Sequence, residues 1–131
     1  MADFTGFAHA ALTVTDFERS KTWYSDTLGW QELFGGDDGG IRYGVGTLPG
    51  GPILGLRQHP SGSGEPFSET TTGLDHLALG VSSRTELEEW AATFEDKGVT
   101  YSPIQDVPYG HVLNFRDPDN IALELFAMPA G

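Results

Sequence analysis

Residues 9–14 read His-Ala-Ala-Leu-Thr-Val, and residues 76–81 read His-Leu-Ala-Leu-Gly-Val. Four of the six positions agree, 67 residues apart. Each stretch runs into a capping-box pattern, Thr15-Asp16-Phe17-Glu18 and Ser83-Arg84-Thr85-Glu86. In such a box a hydroxyl and the Glu three residues on satisfy free N–H groups at a helix start. Each implied helix then ends near a glycine, Gly29 or Gly98. Leu54-Gly55-Leu56 and Leu123-Glu124-Leu125 follow 69 residues apart, as do Pro60 and Pro129. Agreements in one order mark a duplication, which constrains the fold more than any composition could. The 131 residues are read as a single domain of two homologous modules, about 5–60 and 73–128, with a linker at about 61–72. A unit of about 60 residues buries too little surface alone, so the two are expected to need each other.

Within each module the pattern is strand, helix, then three strands. Alternating apolar residues predict strands at 7–14, 30–34, 41–48 and 52–59, and a helix over 16–28 with Phe17, Tyr24 and Leu28 on one face. The glycine-rich stretch 35–40 is read as the turn between the second and third elements. The second module predicts a strand at 74–81, a helix at 84–97, and strands at about 99–106, 110–116 and 120–127. Asp117-Pro118-Asp119-Asn120 supplies the last hairpin turn.

Charge narrows the partners. Nineteen acidic against 7 basic residues give a net charge of −12, which repels phosphate backbones and anionic membrane surfaces. No nucleic-acid or membrane partner is expected, and the acidity would suit a cationic ligand. The absence of cysteine removes a disulfide scaffold, a thiolate zinc site and a cysteine nucleophile. No Walker loop or Gly-x-Gly-x-x-Gly turn is present. The N-terminus lacks the basic start and apolar run of a signal peptide, so a cytoplasmic location is expected.

Strand side chains alternate between faces. Ala10, Leu12 and Val14 suit the helix-covered face of the first strand, leaving His9, Ala11 and Thr13 opposite. Leu77, Leu79 and Val81 take the helix side in the repeat, leaving His76, Ala78 and Gly80. In the last strand Glu124 lies opposite Leu123 and Leu125. Pairing the modules would gather His9, His76 and Glu124 beside a cavity, a two-His, one-carboxylate set suited to Fe, Mn, Ni, Co or Zn. The alternative is that each His is an ordinary core or surface residue.

At these residues the chain resembles the vicinal oxygen chelate superfamily, also called the glyoxalase, bleomycin-resistance and dioxygenase family. The resemblance is carried by His9 in Ala8-His9-Ala10-Ala11-Leu12-Thr13-Val14-Thr15-Asp16, then Trp23-Tyr24-Ser25-Asp26-Thr27-Leu28-Gly29. It continues with His76 in Gly73-Leu74-Asp75-His76-Leu77-Ala78-Leu79, Phe115-Arg116-Asp117-Pro118-Asp119-Asn120, and Leu123-Glu124-Leu125-Phe126. It implies an α+β fold in which two tandem βαβββ modules form a curved mixed sheet around a cavity. It also implies a homodimer and a divalent metal at His9, His76 and Glu124. Gly55 stands where members with four ligands carry the remaining one, which argues against glyoxalase I activity.

The function expected is a metal-dependent lyase, isomerase or dioxygenase acting on a small oxygen-bearing molecule. The alternative is a non-catalytic protein that sequesters an antibiotic. His59 is the candidate for proton transfer, or else an exposed turn residue. Arg57 is a candidate for an anionic substrate group, or else a surface ion pair. Gly55, Tyr109 and Phe126 are candidate substrate contacts. Trp30 could line the same cavity, although such aromatics are more often core.

Overall fold

The computed structural model describes residues 1–130 and divides the chain into two compact units, Met1–Glu65 and Pro66 onward. Unit 1 holds β1 (Ala10–Thr13), α1 (Phe17–Leu28), β2 (Gln31–Asp38), β3 (Ile41–Thr47) and β4 (Ile53–Gln58). Unit 2 holds β5 (Leu77–Val81), α2 (Arg84–Lys97), β6 (Gln105–Val107), β7 (Gly110–Arg116) and β8 (Ala122–Ala127). The α+β class and the tandem βαβββ modules expected from the repeat are therefore present. They form two open four-stranded mixed sheets, ordered β1-β4-β3-β2 and β5-β8-β7-β6. In each, the first strand crosses over through the helix to pair in parallel with the last, and the other pairings are antiparallel.

Both helices end as expected, with Gly29 and Gly98 in the left-handed region at φ 76° and 69°. The starts differ. Ser83 caps α2 and accepts from Glu86 N, while Glu86 reaches back to Ser82 N at 2.9 Å. In α1 the cap is Asp16 rather than Thr15, its carboxylate accepting from Arg19 N at 3.1 Å. A carboxylate one residue later serves the same donor set, so the helix begins one residue later. The larger correction concerns residues 35–40. Only Gly39 and Gly40, with φ 60° and 92°, make the turn, and β2 runs on to Asp38. Two successive positive-φ residues suit a tight hairpin, which lets the strands pair up to the turn. β7 covers 110–116 as expected, whereas the rest are shorter, β1, β5 and β8 beginning late and β6 covering only Gln105–Val107.

In unit 1, Phe17, Tyr24 and Leu28 are buried on the α1 face, with Leu12, Leu54 and Leu56 buried in the sheet below. Trp30 is core, not cavity lining: it is 2% exposed and its indole N–H donates to Leu54 O at 2.9 Å. In unit 2, Leu87 and Phe94 of α2 are buried, as are Leu113, Phe115, Leu123 and Leu125. The Phe94 and Phe115 rings sit 4.6 Å apart. Burying each such side chain contributes about 1.5–3 kcal/mol.

Among the described residues, one buried side-chain polar atom is left over. Ser20 Oγ, on the buried face of α1, has no hydrogen-bond partner. Ser20→Ala is therefore expected to raise stability by about 1 kcal/mol, because it removes an unsatisfied hydroxyl and improves helix propensity. Urea denaturation reads this directly, and a loss of stability would contradict it.

At the other end of the chain, Arg84 at the start of α2 holds Asp106 through Nε at 2.9 Å and Nη2 at 3.2 Å. His111 Nδ1 lies 2.7 Å from the same carboxylate. Bonds from Arg84, then from His111, pull the Asp106 carboxyl down from 3.8 to about 2. A depressed folded-state value stabilises above the unfolded value and is lost as pH falls through the folded one. Asp106→Asn should therefore melt lower than wild type at neutral pH. The gap should hold down to about pH 4 and close toward pH 2. Melting curves across that range check it, and a gap unchanged at pH 2 would refute it.

Candidate functional site

The parallel pairing of β5 with β8 sets Ala78 beside Glu124, and the β7–β8 ladder sets Asn114 on its other side. His76 stands just before β5. Its Nε2 is 4.0 Å from Glu124 Oε2, and its Nδ1 is 2.8 Å from Asp75 Oδ1. The Asp75 carboxylate can only accept, so Nδ1 donates to it and the ring is held with Nε2 on the Glu124 side, the orientation a metal-binding imidazole uses. The His76 side chain is 47% exposed and that of Glu124 17%. Around the pair the strand carries little bulk. Ala78 and Gly80 are exposed, and a Cβ at Gly80 would meet nothing within 4 Å. Beyond them Tyr109 stacks on Phe126, ring centroids 6.1 Å apart and planes at 13°.

In unit 1, His9 precedes β1 and is exposed. Ala11 pairs with Gly55, where a Cβ would meet Ala11 Cβ at 3.5 Å, an ordinary contact. Packing alone thus leaves room for a side chain at Gly55. Arg57 pairs with Thr13 on β1 and Tyr43 on β3, and its guanidinium lies 5.6 Å from the Tyr43 ring centroid. His59 lies just past the end of β4, in a turn closed by Gly62 N donating to its carbonyl at 3.1 Å.

Among the described residues, no group of three or more His, Cys, Asp or Glu side chains forms a metal set. The pair His76–Glu124 is what unit 2 brings together, and His9 belongs to unit 1. Two neighbours of the pair, Asp75 and Asn114, were not singled out from sequence. The adjacent acid in Asp75-His76 was a usable signal, whereas Asn114 needs the β7–β8 register.

The comparisons agree with this architecture. The Glyoxalase/Bleomycin resistance protein/Dioxygenase superfamily matches residues 6–125. A glyoxylase/bleomycin resistance protein/dioxygenase domain from Frankia sp. EAN1pec superposes with a TM-score of 0.91 at 39% identity, covering 97% of this chain and all of that one. The uncharacterized protein YwkD of Bacillus subtilis is 29% identical over 123 residues, 90% of this chain and 93% of its own. The fosfomycin resistance protein FosX of Listeria monocytogenes, solved with Mn(II) and sulfate, shares the fold at a TM-score of 0.72 and 20% identity, covering 97% and 95%. With its duplicated βαβββ modules and this match across nearly its whole length, the chain belongs to the Glyoxalase/Bleomycin resistance protein/Dioxygenase superfamily.

Proposed function

We propose that this protein is a divalent-metal-dependent enzyme acting on a small oxygen-bearing substrate, with His76 and Glu124 as two ligands and His9 as the third. The observation that carries the reading is the Asp75–His76–Glu124 arrangement. An imidazole oriented by one carboxylate and presenting its free nitrogen to another fits a metal better than it fits a surface ion pair. Ligand atoms sharing a metal at about 2.1 Å stand about 3–3.4 Å apart, so the 4.0 Å pair needs only a small closure. The donor types suit Fe, Mn, Ni, Co or Zn. A divalent cation held there supplies Lewis acidity toward a substrate oxygen.

The chain's own residues do the rest. Asp75 holds the His76 ring, Ala78 and Gly80 leave room for a substrate, and the Tyr109–Phe126 stack offers it an apolar wall. His59 is assigned to proton transfer at the substrate. His9 is assigned to the set in the active assembly, a homodimer. Titration with Mn(II) tests the reading, Mn(II) being chosen because FosX, of the same fold, binds it. Stoichiometric binding that disappears in Glu124→Gln supports the proposal, and a wild-type protein that takes up none of these metals overturns it.

Asp75→Asn is expected to weaken Mn(II) binding by about 10–100-fold while leaving the fold intact, since it removes only the group that orients His76. Calorimetry on the variant measures this, and unchanged affinity would show that Asp75 does no orienting.

A further inference from the structure

We infer that the open face of the unit 1 sheet carries a carboxylate-binding site built on Arg57, Thr13 and Tyr43, so that the substrate is an organic acid. The inference rests on the reading of this protein as a small-molecule enzyme and names its substrate class.

The first observation is electrostatic. The chain carries 19 acidic residues, and its arginines are readily drawn to them. Arg42 is paired with Glu18, Arg84 with Asp106 and Glu88, and Arg116 with Glu69. Arg57 has no carboxylate within ion-pair reach among the described residues. Its side chain lies against the Tyr43 ring, whose centroid is 5.6 Å from the guanidinium. A half-buried guanidinium kept free amid so much negative charge has its hydrogen-bonding fork available for another anion.

The second observation is the register. Thr13, Arg57 and Tyr43 are cross-strand neighbours on β1, β4 and β3, so their side chains stand in one row on one face. Gln58, the next residue on β4, points the other way and accepts from Phe17 N at the start of α1, which confirms the alternation. The row therefore presents a hydroxyl, a guanidinium and a phenol side by side, all hydrogen-bond donors. A planar carboxylate meets such a fork bidentately, with a flanking hydroxyl available to each oxygen.

The third observation is the neighbouring row, Ala11–Gly55–Val45. It carries almost no bulk at its centre, and Phe34, the β2 neighbour of Val45, is 59% exposed. Beside the donor row there is thus a shallow apolar floor, which suits the carbon body of the same ligand.

The test uses benzoate as the probe, with benzyl alcohol as its neutral counterpart and phenylphosphonate as a second anion. All are titrated by NMR into metal-free wild-type protein, Arg57→Gln and Arg57→Lys. Benzoate should bind wild type and lose about tenfold or more in affinity in Arg57→Gln, the loss of a charged hydrogen-bonding pair. Arg57→Lys, which keeps charge but not the fork, should fall between them. Benzyl alcohol should bind all three alike. Tighter binding of phenylphosphonate than benzoate would overturn the carboxylate assignment. Equal benzoate affinity in wild type and Arg57→Gln, or no binding up to the solubility limit, would overturn the site. Repeating the titration in Glu124→Gln keeps this inference separate from the metal reading: benzoate binding should survive there even though metal binding does not.

Discussion

Glu124→Gln is expected to lower Mn(II) affinity by about a hundredfold or more, the largest functional effect of any single change in this chain. Glutamine keeps the length and shape of the side chain but loses the anionic oxygen that lies 4.0 Å from His76 Nε2. Loss of a ligand should exceed the roughly 10–100-fold that loss of an orienting neighbour costs. The fold should tolerate the change, because Glu124 lies on the open face, while Leu123 and Leu125 on the buried face keep their packing. Calorimetric titration and a melting curve on the same sample separate the two effects. Equal affinity in the variant would remove Glu124 from the site and with it most of the case for an enzyme. A mixing experiment then locates His9. His9→Ala and Glu124→Gln protein, each expected to bind metal too weakly to fill its sites, are combined and allowed to exchange. If His9 serves the pair of a second copy, about a quarter of the wild-type sites should reappear on random re-assortment. If it serves its own chain, none should.

The largest effect on stability is expected from Gly46→Ala. Gly46 on β3 lies across from Glu32 and Leu54. A Cβ there would run into the backbone oxygen of Gln31 and stand 2.6 Å from the Trp30 ring. Neither can yield cheaply. The first is strand backbone, and the second is a buried indole held by its bond to Leu54 O. Overpacking of this kind costs about 1–3 kcal/mol, and a displaced, unsatisfied indole N–H adds about 1–3 more. A loss of about 3–5 kcal/mol follows, a large share of what holds a domain of this size together. Urea denaturation measures it, and a variant within about 1 kcal/mol of wild type would show that the ring moves freely. With Trp30→Leu as background the penalty should shrink, since the obstacle is then smaller and carries no N–H.

The repeat makes the modules legible in the sequence itself. A duplicated pattern states twice where a strand, a helix and a capping glycine lie, so α2 and β7 fall where the periodicity puts them. Element ends were harder to read. The first strand of each unit begins late because only residues facing β4 or β8 are paired, and His9 and His76 sit just outside that pairing. Glycines misled at β2, where Gly35 and Gly36 look like a turn but stand opposite Gly44 and Tyr43 in the ladder. At the site, alternation put His76 and Glu124 on one face, and the two side chains stand 4.0 Å apart. It could not reveal Asn114 beside Glu124 or Tyr43 beside Arg57, because cross-strand neighbours follow from register, which no single strand's pattern contains.

The parallel closure of each unit also dictates an order of assembly. Hairpins such as β7–β8 join residues close in the chain and form early, whereas β5 must wait for α2 and all of β8 before it has an edge to dock on. His76 and Glu124 meet only across that last-formed seam. A chain still emerging from the ribosome therefore has no His76–Glu124 pair until residues 122–127 are synthesised, and on the proposed reading metal capture would have to follow the completion of unit 2. In the finished protein the same seam should exchange its amide hydrogens faster than the central β7–β8 ladder, because β5 is bound along one edge of its sheet only and alternates half-buried with exposed residues.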